Sequence, residues 1–173
     1  MDVAFLVSKE GIEQAELTEP WKAVEHAGHN PRLVSPEPGK VQAFNHLDPA
    51  DTFTVDVTAA DARPGDFAAL VLPGGVANGD LLRSLPDAVE FVREFVALGR
   101  PIAVICHGGW VLIEADAVRG KRLTSWPSLR TDYRNAGATW ADEPLIVDGN
   151  LISSRKPDDL PEFNRALIAA LDR

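Results

Sequence analysis

From end to end the chain alternates short, fully apolar runs with stretches whose apolar residues recur every three or four positions. That is the sequence form of a parallel sheet, because crossover helices bury both faces of each strand. VAFLV (3–7), AALVLPGG (68–75) and PIAVIC (101–106) read as buried strands, and RLVS (32–35) as another. Helical spacing is expected over residues 12–27, where Ala15, Leu17, Trp21, Val24 and Ala27 share a side and Gly28 supplies a C-terminal cap. It returns over residues 85–99 and in WVLIEADAV (110–118). PSLRTDYRNAG (127–137) reads as a helix opened by a proline, and DDLPEFNRALIAALDR (158–173) as one with Asp158 and Asp159 near its positive end. Residues 36–58 read as a small hairpin or meander, and TWADEPLIVDGNLISS (139–154) as paired strands around Asp-Gly-Asn. The expected class is α/β, a single domain over residues 1–173 with no internal repeat.

Composition narrows the function classes. The 173 residues are 45% hydrophobic and 25% charged, within the range of soluble folded domains. A formal charge of −9 and a pI near 4.8 disfavour nucleic acid, which needs a basic surface to displace counterions from phosphate. MDVAFLVSKEGIEQAE lacks the basic region of a signal peptide, and no apolar run reaches the ~20 residues of a membrane span, so a cytoplasmic protein is expected. A single cysteine makes no internal disulfide. His26 and His29 are spaced as metal ligands sometimes are, but Gly28 ends the helix between them and no acidic partner motif follows; they read as surface histidines. GxGxxG, P-loop, HExxH and CxxC patterns are missing, and no cofactor or metal is expected.

The chemistry concentrates in AVICHGGW (103–110), where a buried strand ends on Cys106 with His107 directly after it. A free cysteine is most often a small buried hydrophobe. This one sits beyond the carboxyl end of a strand, where open α/β sheets bind ligands, on a turn into a helix whose amides would favour thiolate and lower its pKa. The Leu-Pro-Gly-Gly turn (72–75) ends the neighbouring run in the same way. The amides of Gly74, Gly75 and His107 are candidates to hold an oxyanion. His107 has the plainer alternative of filling the helix start.

IEQAEL (12–17), ALVLPGG (69–75), AVICHGGWVLI (103–113), RGKRLTSWPSLRTDYRNAGATW (119–140) and DGNLISSRKPDDLPEF (148–163), in this order, resemble the DJ-1/PfpI superfamily, in particular its bacterial general stress protein and PfpI-type intracellular protease branch. The resemblance implies a flavodoxin-like three-layer α/β/α sandwich with a mainly parallel sheet. It implies that Cys106 is the reactive cysteine, that His107 is the histidine following it, and that Glu16 hydrogen-bonds the thiol, with Glu13 the first acidic residue of that motif. Solvated positions on a first helical turn are the alternative for both glutamates. It further implies a third triad member beyond Pro-Gly-Gly, supplied by a neighbouring subunit. Asp80 fills that place after a one-residue insertion; an ordinary acidic residue near a helix start is the alternative. Gly109-Trp110 replaces the Pro-Gln of many relatives, so Trp110 either narrows the cleft or packs beneath it. Tyr133 and Arg155 lie in matching segments near the site.

Two functions follow from the resemblance. One is a homo-oligomeric stress-response enzyme, homodimer or larger, in which Cys106 attacks a carbonyl of a peptide or of methylglyoxal and its adducts, as an intracellular protease, deglycase or glyoxalase does. The other is a redox sensor or chaperone that cycles Cys106 through oxidised states without turnover. An interaction module that keeps only the fold is a third.

Overall fold

A computed structural model describes residues 1–173. In chain order the first half runs β1 (Asp2–Leu6), β2 (Glu10–Glu13), α1 (Gln14–His26), β3 (Asn30–Ser35), β4 (Lys40–Asn45), β5 (Asp48–Thr54), β6 (Val57–Thr58), β7 (Ala69–Leu72), α2 (Val76–Ser84) and α3 (Pro86–Ala97). The second half runs β8 (Ile102–Ile105), α4 (Trp110–Glu114), β9 (Arg122–Leu123), α5 (Arg130–Asn135), β10 (Thr139–Trp140), β11 (Ile146–Asp148), β12 (Leu151–Ser154) and α6 (Leu160–Leu171).

Seven strands form one sheet in the order β11-β12-β8-β7-β1-β3-β6. Every neighbouring pair is parallel except β11 with β12. The period of two along the strands sorts their side chains between two cores. Val3 and Phe5 of β1, Val71 of β7 and Ile105 of β8 join Leu17 and Val24 of α1 and Phe163 and Leu167 of α6. Ala4, Leu6, Leu72 and Val104 face the other way, onto Leu82 of α2, Phe91 and Phe95 of α3 and Tyr133 of α5. The result is the three-layer α/β/α sandwich with a mainly parallel sheet that the sequence implies.

The departures lie close to the carboxyl end of the sheet. The helix expected from residue 12 begins at Gln14 instead; residues 10–13 form β2, which pairs in parallel with β4. Backbone drives this, because Glu13 N–H donates to the Gly74 carbonyl at 3.2 Å and ties the start of α1 to the turn after β7. The helix α2 is new. Its VANGDLLRS lacks an apolar stripe, and its buried Asn78 and Gly79 are there for contact with the neighbouring turns. A Cβ on Gly79 would stand 2.3 Å from the His107 carbonyl oxygen, so glycine is what lets α2 approach the turn after β8. The apolar helix expected over residues 110–118 stops at Glu114, and Asp116 adopts a φ of 53°. The segment opened by Pro127 begins as one 3-10 turn, Pro127–Leu129, before α5. The hairpin in residues 36–58 is β4 with β5, antiparallel, and β11 with β12 is the pair around the Asp-Gly-Asn turn.

Candidate active site

The turn after β8 is built around one unusual residue. Cys106 has a φ of 60°, in the left-handed region that β-carbon sterics disfavour for anything but glycine. Surrounding hydrogen bonds hold it there. Cys106 N–H donates to the Ser154 carbonyl at 3.1 Å, Gly108 N–H to the Ile105 carbonyl at 3.0 Å, and Trp126 N–H to the Cys106 carbonyl at 3.3 Å. The bend leaves Sγ facing the turn after β7, near the N–H groups of Gly75 and His107.

That second turn is clamped by Asn78. Its side-chain amide donates to the carbonyls of Pro73 and Gly74 at 3.0 and 3.1 Å, and its Oδ1 accepts from Ser8 N–H at 2.8 Å. Gly74 N–H donates to Oε2 of Glu16 at 2.8 Å, so of the three amides expected to hold an oxyanion, this one is taken. A methyl group on Gly74 would meet Glu16 Oε2 at 2.3 Å and Cys106 Cβ at 2.6 Å, which shows how closely α1, the Pro-Gly-Gly turn and the cysteine converge.

Glu16 is fully buried. Burial pushes its carboxyl from 4.5 up to about 8, against the opposing pull of the Cys106 thiol, with the charge of Glu13 adding to the rise and the Gly74 amide opposing it. It therefore carries its proton at neutral pH. The folded protein binds this proton more tightly than the unfolded chain, so between these two values stability falls as pH rises, by ~1.4 kcal/mol per pH unit for one proton. Urea unfolding from pH 5 to 8 should show that decline in the wild type and a shallower one in Glu16→Gln. Equal slopes would mean that Glu16 is ionised in the fold.

Burial also pushes the Cys106 thiol up, and an ionised Glu16 would push it further, while the amides of Gly75 and His107 pull it down. This reverses the expected lowering by a helix start. The helix that follows is the five-residue α4, it begins only at Trp110, and Cys106 is 8% exposed. The side chain set to receive the thiol proton is His107. Its Nδ1 lies 3.2 Å from Sγ, and burial lowers its pKa, so at neutral pH the ring is an uncharged base. Its Nε2 lies 3.3 Å from Oγ of Ser128.

The remaining expected residues separate into neighbours and outsiders. Trp110 packs against the His107 ring with centroids 5.3 Å apart, and its Nε1 donates to Asp132 at 2.9 Å. Glu13 accepts from His46 N–H at 3.1 Å, tying the tip of the β4–β5 hairpin to the start of α1. Tyr133 is buried with its hydroxyl against Gly109: a Cβ there would fall 1.5 Å from that oxygen, so the side chain fills space that a residue larger than glycine would need. Arg155 forms a structural brace with Asp159 and Asp142. Asp80 is exposed on α2, and its side chain makes no hydrogen bond or ion pair within the chain. No cluster of His, Cys, Asp and Glu side chains has the arrangement of a metal site. His29 faces Asp172, with 3.9 Å between Nε2 and Oδ1.

Sequence reading missed Ser128, Trp126 and Asn78. Each acts across at least twenty residues of chain or through a loop, and no local pattern marks such a partner.

A model of the DJ-1/PfpI family matches residues 1–170, a span that holds this cysteine, histidine and glutamic acid. The chain belongs to the DJ-1/PfpI family. It is 38% identical to protein/nucleic acid deglycase 2 of Escherichia coli over 170 residues, 98% of this chain and 96% of that one. It is also 38% identical to general stress protein 18 of Bacillus subtilis, over 94% of this chain and 93% of that one. A solved two-domain protein from Anabaena variabilis, with DJ-1/ThiJ/PfpI-like and ferritin-like domains, superposes with a TM-score of 0.92 at 35% identity. The match covers 99% of this chain and 50% of that protein, so the chain spans half its length. Relatives named as deglycases place enzymes within this DJ-1/PfpI family group.

Proposed function

We propose that this protein is a stress-response enzyme that converts small reactive carbonyl compounds, methylglyoxal and its adducts, by cysteine-dependent chemistry of deglycase or glyoxalase type. The observation that carries the reading is the strained Cys106 with the uncharged base His107 at 3.2 Å from its sulphur. Sγ adds to the aldehyde carbon, its proton passes to Nδ1, and the carbonyl electron pair becomes an oxyanion beside the N–H groups of Gly75 and His107. His107 hands the thiol proton to the oxyanion, then as an uncharged base moves the proton on that carbon to the neighbouring ketone carbon while the hydroxyl proton passes to the ketone oxygen, which turns the hemithioacetal into a lactoyl thioester. Water then releases lactate and restores the thiol. Methylglyoxal plus water equals lactic acid, so no oxidant enters; an amine adduct plus water gives lactate and the free amine.

Access favours small substrates over an extended peptide, because Cys106 and His107 are only 8% and 7% exposed. The same burial weighs against a redox sensor, which works through an accessible thiol of low pKa. The test is methylglyoxal consumption and lactate formation by the purified protein in buffer free of amines and thiols. Many lactate equivalents per protein are expected. Consumption that stops at one equivalent per cysteine would replace the enzyme by a reactive thiol without turnover.

A further inference from the structure

Both nitrogens of His107 are engaged within one chain: Nδ1 by the Cys106 sulphur and Nε2 by Oγ of Ser128, at 3.3 Å. The ring itself is held between two indoles. Trp126 stacks on one side, centroids 5.9 Å apart and planes 27° from parallel, and Trp110 tilts against it at 5.3 Å and 58°. The indoles set the plane of the ring, and they do not choose which nitrogen carries hydrogen. Only a polar partner at one nitrogen does that. Ser128 arrives on the 3-10 turn that Pro127 opens, and Trp126 N–H, two residues earlier, donates to the carbonyl of Cys106 itself. The serine is thus registered to the nucleophile by backbone, and a carboxylate brought to Nε2 by another chain would first have to displace it.

We propose that Ser128 is the positioning residue for His107: its Oγ accepts the Nε2–H, keeps Nδ1 free to take the thiol proton, and stabilises the imidazolium that results. The proton balance is simple. The S–H proton moves to Nδ1, the Nε2 proton stays in place, and the serine hydroxyl accepts in both states. The inference rests on the reading of Cys106 as nucleophile and His107 as its base, and it concerns only how that base is held. Ionisable groups around the ring are Cys106 at Nδ1, Glu16 beyond the sulphur, and Asp132 and Arg83 behind Trp110, the first on its Nε1 and the second over its ring.

Alkylation of Cys106 by iodoacetamide, followed against pH, tests this without using any substrate. In Ser128→Ala the imidazolium loses its acceptor, a charge-assisted bond, so the share of thiolate–imidazolium pair formed by internal proton transfer should fall. The rate near pH 7 should fall about tenfold, and at high pH, where hydroxide rather than His107 takes the thiol proton, the rates of variant and wild type should converge. Ser128→Thr should restore the rate near pH 7. A superimposable Ser128→Ala profile would overturn the proposal, as would a rate lowered equally at neutral and high pH, the signature of a merely loosened turn. So would a rate near pH 7 that falls in Asp80→Asn and not in Ser128→Ala, which would give the role to a carboxylate from a second copy. Should wild-type protein form no lactate while Ser128→Ala still slows alkylation near pH 7, the carbonyl reading falls and the assignment of Ser128 stands.

Discussion

Cys106→Ala should abolish lactate formation from methylglyoxal, a loss of about 10³-fold or more, while leaving the fold intact. The sulphur is the only group in the site able to form the covalent intermediate, and neither His107 nor the amide of Gly75 substitutes for it. The backbone argues for an unharmed fold. Alanine keeps the Cβ that cysteine already holds at a φ of 60°, so no strain is added, and the hydrogen bonds that hold the turn run through backbone groups. Unfolding curves of the two proteins should therefore agree within about 1 kcal/mol, or shift slightly in favour of the variant, which no longer buries a polar thiol. Cys106→Ser separates nucleophile from shape. Its hydroxyl keeps size and position but ionises far less readily, so it should be nearly as inactive as the alanine variant. A tenth of wild-type turnover surviving in Cys106→Ala would remove the cysteine from the mechanism.

Gly75→Ala should prevent the protein from folding, or destabilise it by more than about 4 kcal/mol against a total stability of ~5–15 kcal/mol. Two costs add. Gly75 has a φ of +95°, and a Cβ there would stand 2.0 Å from the Gly11 carbonyl oxygen and 2.7 Å from the Glu13 nitrogen. Both are backbone atoms with no rotamer to turn away, so the start of α1 would have to part from the Pro-Gly-Gly turn, taking Glu16 with it. Gly39 supplies the control. Its φ of +102° is nearly the same, yet a Cβ there meets nothing within 4 Å, so Gly39→Ala carries only the backbone strain, about 1 kcal/mol or slightly more. The difference in denaturation midpoint between the two variants measures the steric collision alone. Equal losses would show that the two turns are not packed as tightly as the geometry requires.

How much of this was legible beforehand differs from element to element. The buried strands β1, β7 and β8 stood out because a strand covered on both faces must be apolar at every position, and VAFLV, ALVL and IAVI are. The helices α3 and α6 stood out for the complementary reason, a single apolar stripe at helical spacing. By the same logic α2 was invisible. Beside Leu82 it buries Asn78, to clamp a loop, and Gly79, to approach the His107 carbonyl, and one leucine makes no apolar stripe. β2 was hidden inside the helical spacing of residues 12–27, since its strand character comes from pairing with Phe44 and Ala43, thirty-one residues away.

The site divides along the same line. Cys106, His107, Glu16 and the Gly74-Gly75 turn were readable because strand ends in an α/β sheet are where reactive groups gather, and because their local motifs are specific to a family. Their ionisation was not readable. A helix start beside a cysteine argues for a lowered thiol pKa, but the packing buries the sulphur and makes burial the larger effect, and the group the fold sets at the sulphur is the uncharged ring of His107. Sequence alone determined the α/β class and the placing of Cys106, with His107 next to it, at the end of a buried strand, because these depend on periodicity and on residues adjacent in the chain. Tertiary structure alone decided that Glu16 holds its proton, that Gly74 spends its amide on Glu16, and that His107 meets Ser128 twenty-one residues on. Those outcomes depend on dielectric and on distances of about 3 Å between segments remote in the chain, and no pattern of residue types along it encodes either.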